Sequence, residues 1–264
     1  MVNDLNDSGD SAPLLECLVP ICREAGRLIM AVYASDFEVR NKDDSSPVTE
    51  ADERAEKSIV KALRKLRPSI PIIAEEEAAA GSKVEVNHTF WLVDPLDGTK
   101  EFISRNGEFT VNVALIHRSV PVLGVVYAPA LDRLFAGGPQ LGSWIEVQGR
   151  RRPIETRPVP PSGLSVVASR SHGDTALLDR FLAGRKTDRV VNAGSSLKFC
   201  VVAAGEADVY PRFGRTMEWD IAAGQAVLCG AGGAVTTVEG APMLYGKPQF
   251  ENPHFIAWGH PQTA

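Results

Sequence analysis

Long apolar runs, a secretory leader and an excess of positive charge are all missing from this 264-residue sequence. No stretch reaches the roughly 20 apolar residues that a membrane-spanning helix needs. The first residues, MVNDLNDSGDSAPLL, are acidic and lack the basic and apolar regions of a signal peptide. We therefore expect a cytoplasmic protein with no integral membrane segment.

Cysteine is scarce and unpaired. The four cysteines, at positions 17, 22, 200 and 229, form no CxxC pair, which argues against a zinc site. Their apolar surroundings predict reduced thiols in the core of a cytosolic protein. The formal net charge of −5 offers no general basic field for a nucleic acid polymer, although a local basic pocket could hold a small anion. Small-molecule ligands are therefore expected.

What is present is the composition of an ordinary globular protein, with 44% hydrophobic and 23% charged residues. Apolar residues at three- and four-residue steps predict a helix from Leu14 to Tyr33. A short strand over 37–40 and an exposed loop with a turn at residues 46–47 are expected next. A second helix, with acids in its first turn, begins near Thr49 and ends before Pro68.

The runs IPIIA and TFWLV predict buried strands, and the short strands from FTVNVALIH to SWIEV predict an antiparallel meander. The arginines at 150–152 are interpreted as a solvated turn. Beyond the proline-rich segment near residue 160, strands and helices alternate, which favours an α/β arrangement. We therefore predict two sub-domains, an α+β unit over 1–155 and an α/β unit over 156–264.

Acidic side chains stand at the ends of apolar segments in three separate places. They are Glu75 to Glu77, the pair Asp94 and Asp97, and the pair Glu218 and Asp220. Each has an ordinary explanation, because a triplet of glutamates suits a solvated helix start and Asp220 suits a helix N-cap. If the fold brings them together, their carboxylates make a set of hard oxygen ligands suited to Mg²⁺.

The segment DPLDGT, residues 94–99, combines several of these features. Pro95 stiffens the chain between the two aspartates, and Gly98 permits a tight turn. If a helix begins at Thr99, its first amides can bind a phosphate oxygen. The spacing does not fit an EF-hand, GAGGAV follows a helix rather than preceding one, and no nucleophile elbow of a serine hydrolase is present.

Three motifs in order, AEEE, DPLDGT and EWDIAAG, resemble the inositol monophosphatase superfamily over about residues 14–258. The resemblance implies a layered αβαβα sandwich and a magnesium-dependent phosphatase. The segments GTKEFISRNGEFTVNVALI, GSSLKFC and ADVYPRFG are more similar to its bacterial 3'(2'),5'-bisphosphate nucleotidases than to its inositol enzymes.

The resemblance implies two or three Mg²⁺ ions and a role for each of several residues. Asp52 and Thr99 would orient and help deprotonate the attacking water, and Glu75 is placed with them; whether Glu75 or Glu76 is the ligand stays open. The implied metal ligands are Glu75, Asp94, the Leu96 carbonyl, Asp97 and Asp220. The implied substrate-binding residues are Leu96, Asp97, Gly98, Thr99, His172, Ser195, Lys198, Arg212 and Asp220.

The expected reaction is hydrolysis of the 3'-phosphate of adenosine 3',5'-bisphosphate to AMP and phosphate, in sulfur assimilation or nucleotide recycling. 3'-Phosphoadenylyl sulfate is a second candidate substrate. Two alternatives stay open, namely an inositol monophosphatase or sugar bisphosphatase, and a non-catalytic Mg²⁺-dependent nucleotide-binding regulator. The oligomeric state and attachment to the inner face of the cell membrane are also left open.

Overall fold

Two β-sheets contain most of the strands in the computed structural model, which describes residues 8–41, 47–82, 84–168 and 175–260. The predicted loop over 42–46, including one residue of the expected turn, lies outside these residues, as does His172. None of the helices in the described ranges is long and apolar enough to cross a membrane.

Within the described ranges, the larger sheet has seven strands in the order β3 to β9. Its first two strands are parallel, and every later neighbour is antiparallel, which confirms the predicted buried strands and meander. The strands are β3 (Ile72–Ala74), β4 (Thr89–Asp97), β5 (Thr110–His117), β6 (Val120–Ala128), β7 (Arg133–Gly138), β8 (Gly142–Val147) and β9 (Arg150–Ile154).

The smaller sheet, as far as the chain is described, has five strands in the order β11-β10-β12-β14-β13. The first three strands in this order are parallel, and β14 pairs antiparallel with both β12 and β13. The strands are β10 (Leu164–Ala168), β11 (Thr187–Asn192), β12 (Val209–Arg212), β13 (Ala234–Thr237) and β14 (Phe255–Trp258). A separate two-stranded sheet joins β1 (Val39–Asn41) to β2 (Pro47–Thr49).

The helices complete an αβαβα sandwich, as the resemblance implied. On the outer face of the larger sheet lie α1 (Ser8–Tyr33) and α2 (Glu50–Leu66). Between the two sheets lie α6 (Leu197–Ala203) and α7 (Glu218–Gly230), and α5 (Thr175–Leu182) covers the outer face of the smaller sheet. Two short helices, α3 (Glu75–Ala79) and α4 (Thr99–Ile103), follow β3 and β4 directly.

The central helix α7 is buried almost all round, because it has a sheet on each side. Its small residues permit a close approach. A Cβ atom added at Gly124 of β6 would lie 2.8 Å from the Cα of Ala223, and one added at Gly224 would lie 2.6 Å from the Phe199 ring. This packing holds the first turn of α7, with Asp220, beside the end of β4.

Two predictions were wrong. The arginines at 150–152 are exposed as expected, but they form the start of edge strand β9 rather than a turn. The turn lies at Gln148 and Gly149, which both have positive φ angles. Cys17 is exposed rather than in the core, because it faces away from the buried stripe of α1, whereas Cys22 and Cys200 are buried as predicted.

The predicted division near residue 155 coincides with the change from one sheet to the other. Strands β3 to β9 precede it and strands β10 to β14 follow it. One hydrophobic cluster nevertheless includes buried residues of both sheets and of α7. The two-sub-domain division therefore stays a prediction.

Candidate active site

The turn between β4 and α4 forms the centre of the candidate site. Asp94 is only 1% exposed, and its Oδ1 accepts a hydrogen bond from the Leu96 amide at 3.0 Å. Opposite β5 the strand register shifts between Asp94 and Asp97, so DPLD leaves the regular pleat. Gly98 then adopts a left-handed conformation, with φ +87°, and α4 begins at Thr99 as predicted.

Asp52 reaches this turn from the first turn of α2. Its Oδ2 accepts the Thr49 amide at 2.8 Å and the Thr49 hydroxyl at 2.7 Å, which completes a capping box. Its Oδ1 lies 3.3 Å from Thr99 Oγ1, and the Leu96 carbonyl lies at the same distance from that hydroxyl. The sequence-predicted pair of Asp52 and Thr99 is therefore in contact.

Glu75 is the member of the glutamate triplet that faces the cleft. Its side chain lines the same cavity as Asp97 and Asp220, whereas Glu76 and Glu77 line a separate groove beside α2. The orientation is set by a residue that sequence reasoning missed. Glu56 of α2, which is 5% exposed, accepts the amides of Glu76 and Glu77 at 2.7 and 2.8 Å.

Asp220 is the third residue of α7, and its Oδ2 accepts the Met217 amide at 2.8 Å. The N-cap of α7 is Met217, so the expectation that Asp220 is itself the N-cap was wrong; Asp220 accepts the amide of the N-cap from the third helical position and also lines the cleft. Its neighbour Glu218 faces elsewhere. Glu218 is fully buried and accepts the amides of Gly246 and Lys247, so it anchors a loop rather than joining the site.

A second group of missed residues connects Asp97 to α7. Asp97 Oδ2 accepts the Ser196 amide at 2.6 Å and the Asn112 side-chain amide at 3.3 Å. The Ser196 hydroxyl donates to the backbone carbonyl of Asp220. The signal that could have found Asn112 is a polar residue in the apolar strand TVNVALI.

The clustered carboxylates have raised pKa values. Burial raises the pKa of Asp94 well above its usual range, and the charges of Glu75, Asp97 and Asp220 add to the effect. Burial also raises the pKa of Asp220 well above its usual range, and the charges of Asp97 and Glu75 add to this rise. Burial also raises the pKa of Asp97, and the nearby Lys198 ammonium opposes this rise. The cluster therefore favours any group that supplies positive charge, a proton or a cation.

The donor set suits a hard cation, although the residues that the structure describes form no preformed coordination shell. Among the described residues, no three His, Cys, Asp or Glu side chains surround one point as ligands of a metal ion. Mg²⁺ does not require such a shell, since it keeps several waters and binds through one or two carboxylates together with substrate phosphates. Mutually repelling carboxylates, of which Asp94 is buried and the others line the cleft, fit that mode of binding.

Basic side chains line the same cleft as the carboxylates. Lys198, 7% exposed, lies with its Nζ 5.5 Å from the centre of the Tyr210 ring, and burial lowers its pKa to about 8. Arg212 and Arg215 also line the cleft, and Arg215 was not among the predicted residues. Arginine and lysine are the usual partners of a phosphate group, so this wall is suited to an anionic substrate.

Ser195 and the Gly98 turn complete the lining of the cleft. Ser195 has a φ of 44°, and its hydroxyl donates to the Glu108 carbonyl at 3.0 Å. Of the predicted substrate-binding residues, Asp97, Gly98, Thr99, Ser195, Lys198, Arg212 and Asp220 line one cavity, while the Leu96 side chain is buried. His172 lies outside the described residues.

The fold and the site together define a class of protein. The sequence profile of the inositol monophosphatase family matches residues 10–261, and the chain belongs to that family.

Within the family, curated relatives named 3'(2'),5'-bisphosphate nucleotidase CysQ are similar over nearly their whole length. The Salmonella typhimurium protein is 46% identical over 245 residues, which cover 92% of this chain and 98% of the relative. The Escherichia coli K12 protein is 44% identical over the same coverage.

Solved structures show the same fold. The crystal structure of CysQ from Bacteroides thetaiotaomicron has a TM-score of 0.80 at 33% identity, covering 95% of this chain and 98% of that one. An IMPase from Thermotoga maritima has a TM-score of 0.77 at 28% identity, covering 94% and 92%.

Proposed function

We propose that this protein is a Mg²⁺-dependent phosphatase that hydrolyses the 3'-phosphate of adenosine 3',5'-bisphosphate to AMP and phosphate. One structural observation carries the proposal: carboxylates from β4, α3 and α7 line a single cleft together with lysine and arginine side chains. The relatives above, named bisphosphate nucleotidases and 44% to 46% identical, support the choice of nucleotide.

The carboxylate side of the cleft is the proposed metal site. Glu75, Asp94, the Leu96 carbonyl, Asp97 and Asp220 would hold two or three Mg²⁺ ions. Bound Mg²⁺ supplies a Lewis acid, which neutralises phosphate charge and lowers the pKa of bound water. Because these carboxylates repel one another, cation binding relieves the repulsion that burial intensifies.

Asp52 and Thr99 are proposed to handle the proton of the attacking water. The Thr99 hydroxyl donates to Asp52 Oδ1, so the lone pairs of Thr99 Oγ1 are directed away from Asp52 and can accept from a water. The two hydrogen bonds from Thr49 to Asp52 Oδ2 keep the carboxylate in this orientation. The pair thus positions the water and can accept its proton.

The other side of the cleft is proposed to bind the nucleotide. The amides of Gly98 and Thr99 would hold the 3'-phosphate. Lys198 and Arg212 would bind the second phosphate, with Ser195 and His172 beside the nucleotide. A bisphosphate uses both sides of the cleft, whereas an inositol monophosphate leaves the basic wall without an anion. 3'-Phosphoadenylyl sulfate carries the same 3'-phosphate and is proposed as a further substrate, which places the protein in sulfur metabolism.

The test is phosphate release measured side by side on three substrates with Mg²⁺. They are adenosine 3',5'-bisphosphate, inositol 1-phosphate and fructose 1,6-bisphosphate. We expect the nucleotide to have the highest kcat/KM. A preference for inositol 1-phosphate or the sugar would support the alternative within the family. Tight nucleotide binding without phosphate release would support the non-catalytic regulator.

Asp94→Asn tests the proposed metal site. The change preserves the shape of the side chain and removes one of the repelling charges. We expect more than about 100-fold loss of turnover, since even outer-shell changes at metal sites reach that range. The metal-free variant should unfold at the same temperature as the unchanged protein or higher. Normal turnover would contradict the assignment of Asp94.

A further inference from the structure

Asn112 is a buried polar residue on β5 that none of the proposed catalytic steps uses. It is 1% exposed and lies directly opposite Asp94 in the register of β4 and β5. Side chains opposite each other on neighbouring strands share a face of the sheet. Asn112 therefore projects from the same face as the metal-site aspartates.

The side-chain amide of Asn112 connects two parts of the site. Its Nδ2 donates to Asp97 Oδ2 at 3.3 Å and to Ser196 Oγ at 3.0 Å. Ser196, also 1% exposed, donates its own amide to the same Asp97 oxygen at 2.6 Å, and its hydroxyl to the Asp220 carbonyl. A continuous chain of hydrogen bonds thus joins β5, the start of α6 and the first turn of α7.

Two donors converge on one oxygen of Asp97, which fixes the rotation of that carboxylate. The Ser196 hydroxyl donates to the backbone carbonyl of Asp220. This hydrogen bond fixes the first turn of α7, which carries the Asp220 carboxylate. Such outer partners orient metal ligands, and their loss weakens metal binding. Here the two ligands lie on different elements, Asp97 on β4 and Asp220 on α7, so their separation depends on the side chains that connect those elements.

Packing alone does not account for an asparagine at this position. Among the groups that the structure describes, Asn112 Oδ1 is buried without a hydrogen-bond partner, an arrangement that disfavours folding. A leucine of similar shape would fill the same space without a buried unmatched oxygen. The two N–H groups are what asparagine provides and leucine does not.

We infer that Asn112 and Ser196 are positioning residues that hold Asp97 and Asp220 at the separation required for Mg²⁺ binding. The inference rests on the proposed function for the identity of the ion and of the substrate. It adds that the metal site is set by a polar connection between the larger sheet and the starts of α6 and α7, rather than by the ligands alone.

The test is a calorimetric titration of the full chain with MgCl₂, without nucleotide. We expect the Kd for Mg²⁺ to rise about 10- to 100-fold in Asn112→Leu, and to rise also in Ser196→Ala, which keeps the backbone amide to Asp97. The double variant should lose less than the product of the two single effects, because both act through one network. In turnover assays, the Mg²⁺ concentration for half-maximal rate should rise while the nucleotide KM at saturating Mg²⁺ stays unchanged.

Thr110→Val is the matched control. Thr110 lies two residues from Asn112 on the same strand face, pairs with Asp97 in register, and is fully buried. In the described part of the chain its hydroxyl has no hydrogen-bond partner, so the change removes a buried polar atom without touching the network. The Kd of Thr110→Val for Mg²⁺ should stay within about two-fold of the value for the unchanged protein, a much smaller change than the one expected for Asn112→Leu.

The possible outcomes separate this inference from the proposed function. Mg²⁺ affinity unchanged in both Asn112→Leu and Ser196→Ala would overturn the positioning role, whatever the substrate. If the unchanged protein binds Mg²⁺ but releases no phosphate from any nucleotide, the proposed function fails while the titration still decides the inference. If Asn112→Leu does not fold, Ser196→Ala decides alone, with metal-free thermal unfolding as the check of folding.

Discussion

Gly98 is the residue at which backbone conformation and site geometry depend most directly on each other. Its φ of +87° lies in the region that side chains disfavour, and a Cβ atom there would lie 3.2 Å from both Glu101 Oε2 and Ser195 Cβ. A side chain at this position would therefore press on the lining of the cleft. The DPLDGT motif requires glycine for two separate reasons.

We predict that Gly98→Ala lowers both stability and turnover. The left-handed backbone should cost about 1–2 kcal/mol in the free energy of unfolding, and displacement of the turn should reduce kcat by about 100-fold. Urea unfolding and phosphate release with Mg²⁺ are the measurements.

Gly240→Ala separates the two effects. Gly240 has the same φ of +87°, but a Cβ atom there would meet nothing within 4 Å. Gly240→Ala should lower the free energy of unfolding by about as much as Gly98→Ala does, about 1–2 kcal/mol, and should keep full turnover. Equal turnover in the two variants would show that the contact at Gly98 is unimportant.

At the scale of single residues, the sequence predicts the parts of the site that are local. DPLDGT and the start of α7 could be identified because their acids lie next to glycine, proline or a helix start. Asn112, Ser196 and Glu56 could not be assigned roles in this way, since each acts through partners at least 15 residues away. Their roles come from contacts that form only when the chain folds, so no local sequence pattern indicates them.

At the scale of elements, the placement of α3 depends on α2. Glu56 provides both oxygens of a buried carboxylate to the first amides of α3, which have no helical partner of their own. Burial raises the pKa of Glu56 to about 7, and these two hydrogen bonds oppose that rise. The direction of the Glu75 side chain follows from this connection.

We predict that Glu56→Ala lowers the free energy of unfolding by about 1–3 kcal/mol, because two buried amides lose their acceptor. It should also weaken Mg²⁺ binding, since α3 carries Glu75. Urea unfolding and calorimetric titration with MgCl₂ are the measurements.

Glu50→Ala is the matched control for Glu56→Ala, as it removes a carboxylate from the same helix. Glu50 is exposed and pairs with Arg54 one turn away. We expect a change within about 0.5 kcal/mol, the usual range for surface sites. Similar effects of the two changes would contradict the role of Glu56.

Two strands, β9 and β14, were predicted poorly because their sequences lack the usual features of a strand. Strand β9 begins with three arginines and contains Pro153, which suits an exposed edge strand and resembles a loop in sequence. Strand β14 has only four residues, FIAW, and lacks the alternation that identifies a half-buried strand. Helix α1 was predicted from apolar residues at three- and four-residue steps, α2 from its acidic first turn, and the central strands from continuous apolar runs that match their burial.

At the scale of the whole molecule, the folded state retains protons that the unfolded chain releases. Burial raises the pKa of Asp94, Asp97 and Asp220 above 3.8, and that of Glu56 from 4.5 to about 7. A raised folded-state pKa gives stability that is complete below the unfolded pKa and is lost as pH rises through the folded one. The metal-free protein should therefore lose stability on deprotonation.

We predict that, without divalent ions, the free energy of unfolding falls as pH rises from 4.5 to about 7, the window set by Glu56. The three aspartates add losses in the same direction. Mg²⁺ should raise stability most at the upper end, because it replaces protons on the carboxylates and binds only the folded state. Thermal unfolding at several pH values, with Mg²⁺ and with a chelator, measures both effects.

A metal-free stability that rises with pH over this window would contradict the prediction. Asp94→Asn provides an internal comparison, since it lacks one of the repelling carboxylates. Its stability should depend less on both pH and Mg²⁺ than that of the unchanged protein.

The position of β14 has a consequence for how the chain folds during translation. This strand follows β12 and β13 along the chain, yet it lies between them in the sheet. Until the residues near 258 leave the ribosome, β13 lacks its neighbour in the sheet and β12 can pair only with β10. A prematurely terminated product would therefore leave two strand edges open, a form that proteolytic quality control can recognise and remove.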